Sequence, residues 1–325
     1  MAQTTVLDPP LSSHVVHQFP LPTFIENLAI RPNGQILITV VNTASLILLD
    51  PSVPTPAPVV IHKFDDVLAV TGIIELEPDV FYVAIGNFDL MKGNEFGSYS
   101  IWKVDMNEFE KEGKAEVEKI ASLEKHGLPN GFEALPGHKD FFIFADSDAG
   151  TVVKVDVKTG VSSVLIDVDE MKHLPEGMPL GINGLKVLSG YLYWSNTSKK
   201  IFNRIRINSD GASIGTAEIL ASDIIIDDFC FDKKGNAWVT THSDNTVAVI
   251  KPKGGVWAAG ENQVVTAIGK VDEMTVAGGT ACHFGRGEGS GHVLYLTTTG
   301  GLSAPVGGDK VEGGKVVAID TSKFE

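Results

Sequence analysis

Cysteine is nearly absent from this chain. Cys230 and Cys282 are its two thiols in 325 residues, far apart in sequence and without a nearby His/Cys ligand pattern, so neither a disulfide framework nor a zinc site is signalled. Two buried thiols are the expectation. Positive charge is also scarce: 26 Lys and Arg stand against 41 Asp and Glu, a formal net charge of −15. That field repels a phosphate backbone and an anionic membrane surface, so neither nucleic acid nor membrane is expected as a partner. No apolar run reaches the length of a membrane span. The opening stretch, MAQTTVLDPPLSSHVVHQFPLP, lacks the basic and apolar regions of a secretory signal, and the chain reads as cytoplasmic. Helical patterning is thin as well. NEFEKEGKAEVEKI is charged throughout, contains Gly113, and reads as an extended edge. DPSVPTPAPVV is a proline-stiffened loop rather than a linker between domains.

What the chain does have is 34 glycines, 43% apolar residues and one pattern repeated. A short apolar run leads through a Gly-containing turn to an aromatic or β-branched run that ends in small polar residues; a further alternating run then closes on Asp or Lys. The copies are PNGQILITVVNTASLILLD, DVFYVAIGNF…GSYSIWKVD, HKDFFIFADSDAGTVVKVD, SGYLYWSNTSKKIFNRIRI, KKGNAWVTTHSDNTVAVIK and SGHVLYLTTTGG…GGKVVAID. Their spacing of roughly 45 to 70 residues falls at or above that of propeller blades. One blade cannot bury both faces, so the copies pack around an axis and leave a channel. The prediction is an all-β, six-bladed propeller of four-stranded blades, a single domain over residues 1–325. The sixth copy is one strand short, and HVVHQF (His14 to Phe19) is expected to close the ring.

In such a ring the start of each innermost strand and the end of the strand paired with it arrive at the same channel mouth. Asn130, Asn183 and Asp228 hold inner-strand starts; Asn196 and His242 hold second-strand ends. Each suits a turn by itself, but repetition at equivalent points of several blades makes a polar ring.

FIENLAIRPNGQILIT, GLPNGFEALPG, GINGLKVLSGYLYWSN and DDFCFDKKGNAWV resemble the calcium-dependent gluconolactonase and senescence-marker-protein propellers, related more distantly to strictosidine synthase and paraoxonase. The resemblance implies one divalent ion at the mouth, held by a Glu, two Asn and an Asp that match Glu26, Asn130, Asn183 and Asp228; such oxygen ligands suit calcium. It also shows departures. Ser195-Asn196 stands where the family lactonases carry Asp-Ser, there is no His-His pair, and LYLTTTGGLSAP offers no carboxylate in the last blade. FYVAIGNFDLMKGNEFGSYSIWKVD, INGLKV…YLYWSNTS and LYLTTTGG are similar to a fungal branch whose members include hetero-Diels–Alderases, which couple a tropolone quinone methide to a humulene-type terpene.

A cycloaddition catalyst of that kind holds two apolar reactants in a near-attack pose and supplies donors to a carbonyl; no cofactor is required, though a divalent ion at the mouth is compatible with it. Small apolar, polyketide or terpenoid molecules are the expected partners. Phe24, Phe88, Met91, Phe132, Met178, Trp194 and Leu302 are the expected pocket, with Asn130, Asn183, Asn196, Thr241 and His242 as donors or relays. Two other readings stay open. A metal-dependent lactonase would rely on a cation and a carboxylate such as Asp228, and a non-catalytic binding propeller would show an open, polar rim.

Overall fold

The computed structural model describes residues 4–324, so Met1, Ala2, Gln3 and Glu325 of the predicted 1–325 span lie outside the described residues. Six antiparallel sheets follow one another along the chain. The first four blades read in simple order: Ile25–Ile30 to Val59–Lys63, Ala69–Glu77 to Glu116–Ser122, Pro129–Ala134 to Ser162–Ile166, and Ile182–Leu188 to Ser213–Ser222. Blade 5 runs from Phe229–Phe231 to Gln263–Gly269, and blade 6 contributes Gly279–Phe284, Val293–Thr298 and Lys315–Asp320. The expected closure is present. Ser13–Gln18 pairs antiparallel with Lys315–Asp320, in a register that sets Ser13 opposite Ile319 and Gln18 opposite Lys315.

Two details depart from the sequence reading. Thr4–Val6 adds a parallel strand outside Gln263–Gly269, beyond the four strands of blade 5, so the N-terminal segment ties two neighbouring blades. Within NEFEKEGKAEVEKI, Phe109–Glu112 makes one helical turn that ends at Gly113, whose φ of 66° suits a residue without a side chain; the strand begins only at Glu116.

The core lies between blades rather than inside one. Six clusters of buried side chains occupy the six seams. Leu37, Leu46, Val70 and Phe81 join blades 1 and 2, for example, and Trp238, Val249, Leu296 and Val317 join blades 5 and 6. Inner strands are buried along most of their length, whereas outermost strands such as Val59–Lys63 and Ser162–Ile166 are exposed or half-buried along most of theirs, as expected when a sheet packs on both faces only near the axis. Among the described residues no helix is long and apolar enough to cross a membrane.

Candidate functional site

The channel is built by a repeated irregularity. Five of the six inner strands carry a bulge: at Glu26, Thr71-Gly72, Asn130-Gly131, Asn183-Gly184 and Thr280-Ala281. In blade 5 the pair Asp227-Asp228 does the same work just before its strand. Asp227 donates its N–H to the Thr240 carbonyl (2.9 Å) and Asp228 accepts the Thr240 N–H (3.0 Å). A bulge places two residues opposite one and re-aims their side chains. The first of each pair, in five blades, faces one mouth: Glu26, Thr71, Asn130, Asn183 and Asp227 line a single cavity. The second sits in the throat, where space is short. A Cβ at Gly131 would lie 2.5 Å from the Asn183 carbonyl oxygen, and one at Gly184 would lie 2.2 Å from Asp228 Oδ1. Only Asn27 and Asp228 carry polar side chains there, and Asn27 Nδ2 donates to Asp228 Oδ2 (3.3 Å).

The mouth cavity holds about 380 Å³. Its lining is mostly apolar, with Glu26, Asn130, Asn183 and Asp227 from the inner strands and Asp89, Asn94, Asp148 and Ser303 from loops among the polar groups that reach it. Asn183 Nδ2 donates to Asp227 Oδ1 (2.8 Å) and to Thr197 Oγ1 (2.9 Å), while Asn183 Oδ1 is buried without a partner among the described residues. Burial, reinforced by the Asp228 carboxylate, pushes the Glu26 carboxyl up to about 7, with Asn130 pulling the other way. Burial, together with Glu26 and Asp228, holds Asp227 well above the usual carboxylate range, against the Asn183 hydrogen bond. Two crowded carboxyls whose ionisation burial and mutual repulsion disfavour, and one orphaned amide oxygen, form a donor set that a hard divalent cation would relieve. Glu26, Asn130, Asn183 and Asp227 fit such an ion on chemistry.

Phe24, Phe88, Met91, Met178 and Leu302, all expected in the pocket, line this cavity with His242. His242 shares a 2.9 Å hydrogen bond with Ser303 Oγ, and burial lowers its pKa to about 4, so the ring is neutral at ordinary pH. A two-stranded hairpin, Phe88–Asp89 with Gly93–Asn94, hangs over the opening; Asp89 Oδ1 accepts the Met91 and Lys92 N–H groups in its turn. Met91 is 93% exposed at the tip.

Five expectations are corrected. Trp194 is fully buried between blades 3 and 4, and Phe132 packs against Phe142 and Phe144 at ring separations of 5.1 and 5.7 Å; both strands turn these rings to the seam rather than the mouth. Asn196 Nδ2 donates to the carbonyls of Glu170 (2.9 Å) and Lys172 (2.8 Å), and its Oδ1 accepts Lys199 N–H (3.0 Å), so the side chain staples a loop. Thr241 Oγ1 is spent on Thr246. Asp228 lies past the bulge and points away from the mouth, with Oδ1 accepting Phe229 N–H (2.7 Å) and pairing with Lys186 Nζ (3.5 Å). Asp227 takes its place. Sequence reasoning also missed Thr71, Leu128, Asp148 and Leu180 in the lining. The signal available for Asp227 was that it, like Asn130 and Asn183, is the first residue of its inner-strand pair.

The far side of the channel holds a second cavity of about 280 Å³, lined among others by Asn27, Glu133, Lys186, Asp228, Cys230 and His283. Burial lowers Lys186, but Asp228 and Glu133 outweigh it and keep the ammonium charged. Burial raises Glu133 to about 7 against the pull of Lys186, and lowers His283 to about 4.

Two curated relatives are similar to this chain in sequence. One, from Sarocladium schorii, is provisionally named a hetero-Diels-Alderase; it is 26% identical over 352 residues, covering 97% of this chain and 85% of the relative. The other, from a Phoma species and named likewise, is 26% identical over 324 residues, covering 89% and 87%. The chain resembles fungal hetero-Diels-Alderase-type propellers across nearly its whole length. No family model matches it. Among solved structures, the calcium-binding protein regucalcin from Agrobacterium tumefaciens superposes with a TM-score of 0.64 at 14% identity, covering 100% of this chain and 98% of the other. A protein provisionally described as a gluconolactonase gives 0.61 at 15% identity, covering 98% and 94%. At such identities the structural likeness establishes the six-bladed fold alone.

Proposed function

We propose that this protein is an enzyme of the hetero-Diels-Alderase type that joins two apolar reactants, such as a tropolone quinone methide and a humulene-type terpene, in the mouth cavity. One observation carries the reading: a cavity of about 380 Å³ whose lining is mostly apolar, with the inner-strand polar groups Glu26, Asn130, Asn183 and Asp227 gathered in it. Cycloaddition needs no bond to the protein. It is accelerated by holding diene and alkene together and by hydrogen bonds to an oxygen that gains charge in the transition state. In this reading Phe24, Phe88, Met178 and Leu302 enclose the hydrocarbon partner and keep water out. Asn130 and His242 present donors to the oxygen of the heterodiene, and Asn183 holds Asp227 and Thr197 by its hydrogen bonds.

The donor set of Glu26, Asn130, Asn183 and Asp227 favours a second reading, hydrolysis of a lactone. A divalent ion bound there would supply Lewis-acid polarisation of a carbonyl, and Asp227 would handle the proton of the attacking water. The two readings separate in one assay, in which purified protein is given a simple lactone or a quinone-methide precursor with a terpene alkene, each with and without EDTA. Cycloadduct above background that survives chelation is the expected result. Chelator-sensitive lactone hydrolysis without cycloadduct would replace our reading with the second, and activity on neither substrate would leave a binding protein.

A further inference from the structure

We infer that Cys230 and Cys282 form a reversible intramolecular disulfide across the seam of blades 5 and 6, and that Cys230 is the thiol that meets a small hydroperoxide through the far-side cavity. The two sulfurs lie 3.7 Å apart, in van der Waals contact, and must close by roughly 1.6 Å to bond. The backbone already holds them in step. Asp228 donates its N–H to the Thr280 carbonyl at 3.1 Å, and two residues further along each strand come Cys230 and Cys282. Their surroundings differ. Cys230 lines the far-side cavity, while Cys282 is fully buried with its sulfur 3.4 Å from the Trp238 carbonyl oxygen. One thiol is therefore placed to react first and the other to resolve it.

The chemistry balances with a hydroperoxide as oxidant. Cys230 sulfur attacks one peroxide oxygen, the O–O bond breaks, one water leaves, and a sulfenic acid remains. Cys282 sulfur then attacks that sulfur, the S–O bond breaks and a second water leaves. Two thiols are oxidised, one hydrogen peroxide is reduced, and both thiol protons end in water. A cavity of about 280 Å³ admits hydrogen peroxide. Burial holds Cys230 as the thiol rather than the thiolate at neutral pH, which makes the reaction slow and sets an incubation of minutes to hours. The bond would close a loop holding the three outer strands of blade 5 and tie two inner strands that otherwise meet only by packing and short backbone contacts.

Because the chain has two cysteines, the test is unambiguous. The native full chain is incubated with hydrogen peroxide, excess oxidant is removed, and the protein is denatured, alkylated and weighed. The expected product is monomeric, lighter by about 2 Da for two lost hydrogens, closed to alkylation at both thiols, and restored by dithiothreitol; its thermal midpoint is higher than that of the reduced form. Cys282→Ser should leave a Cys230 sulfenic acid that dimedone captures, whereas Cys230→Ser should leave Cys282 unlabelled under native conditions. Two thiols that still alkylate fully after oxidation, separate sulfinic or sulfonic products, or a disulfide-linked dimer would each overturn the inference. The wild-type mass decides the matter even if a variant fails to fold.

Discussion

Asn130, at the start of an inner strand, and Asn196, at the end of a second strand, are the same residue type, both expected at the mouth, and the structure gives them opposite duties. Asn130 lines the mouth, so Asn130→Ala is expected to lower turnover by about ten- to a thousandfold with little change in unfolding. Asn196 holds the carbonyls of Glu170 and Lys172. Asn196→Ala is expected to cost roughly 1–3 kcal/mol of stability and leave the rate alone; a denaturant titration beside a turnover assay separates the two. Glu133 offers a pH test on the far side. Its folded pKa, raised to about 7 by burial, lies above the ordinary value of 4.5, so the folded state holds its proton more tightly than the unfolded chain. Stability then falls as pH rises from about 4.5 through 7. Glu133→Gln should be more stable than the parent at pH 8, by roughly 1–3 kcal/mol, and the difference should vanish near pH 4.5. Thermal unfolding at both pH values measures it. Polar residue type could be read from the sequence here, but duty could not. In a strand a shift of one position reverses the face, and Asp227 and Asp228, adjacent just before the blade 5 inner strand, fall on opposite sides of such a shift: Asp227 lines the mouth cavity and Asp228 the far-side one.

At the scale of strands and loops, more was legible. Each blade leaves its own period-two trace, so six copies and a borrowed strand followed from the repeats. Phe88, Met91, Met178 and Leu302 stood out because apolar residues in turn-rich loops have no core of their own to enter. Trp194 and Phe132 misled because a ring on an inner-blade strand can face either the axis or the neighbouring blade, and period-two patterning does not distinguish them. The fifth strand of blade 5 left no trace either; Thr4–Val6 is exposed on all three residues and carries no alternation. The N-terminal element makes a direct prediction. Removing residues before Pro20 takes away both Thr4–Val6 and Ser13–Gln18 and with them the buried Leu11 and Phe19. At about 1.5–3 kcal/mol for each buried side chain, the thermal midpoint should drop on the order of 10 °C. An unchanged melting curve for this truncation would mean that the ring closes without it.

The whole molecule is a ring whose last fastening joins residues some three hundred positions apart, since Ser13–Gln18 waits for Lys315–Asp320. During synthesis at about 5–20 residues per second, this N-terminal segment stays unpaired at that position for tens of seconds, while blades 1 to 5 can already stack in order of appearance. Until the final strand emerges, the growing arc carries the inner-seam faces of blade 1 uncovered, including Ile25, Leu28 and Ile38, which in the finished ring lie against Ala281, Tyr295 and Val316. Chains stalled or cut before about residue 290 should therefore be recovered in aggregates rather than as shorter soluble propellers, and the missing blade supplied in trans is the natural remedy to try. The feature that makes the finished molecule a closed ring also makes its folding end-loaded: for most of its birth the protein is a sticky crescent.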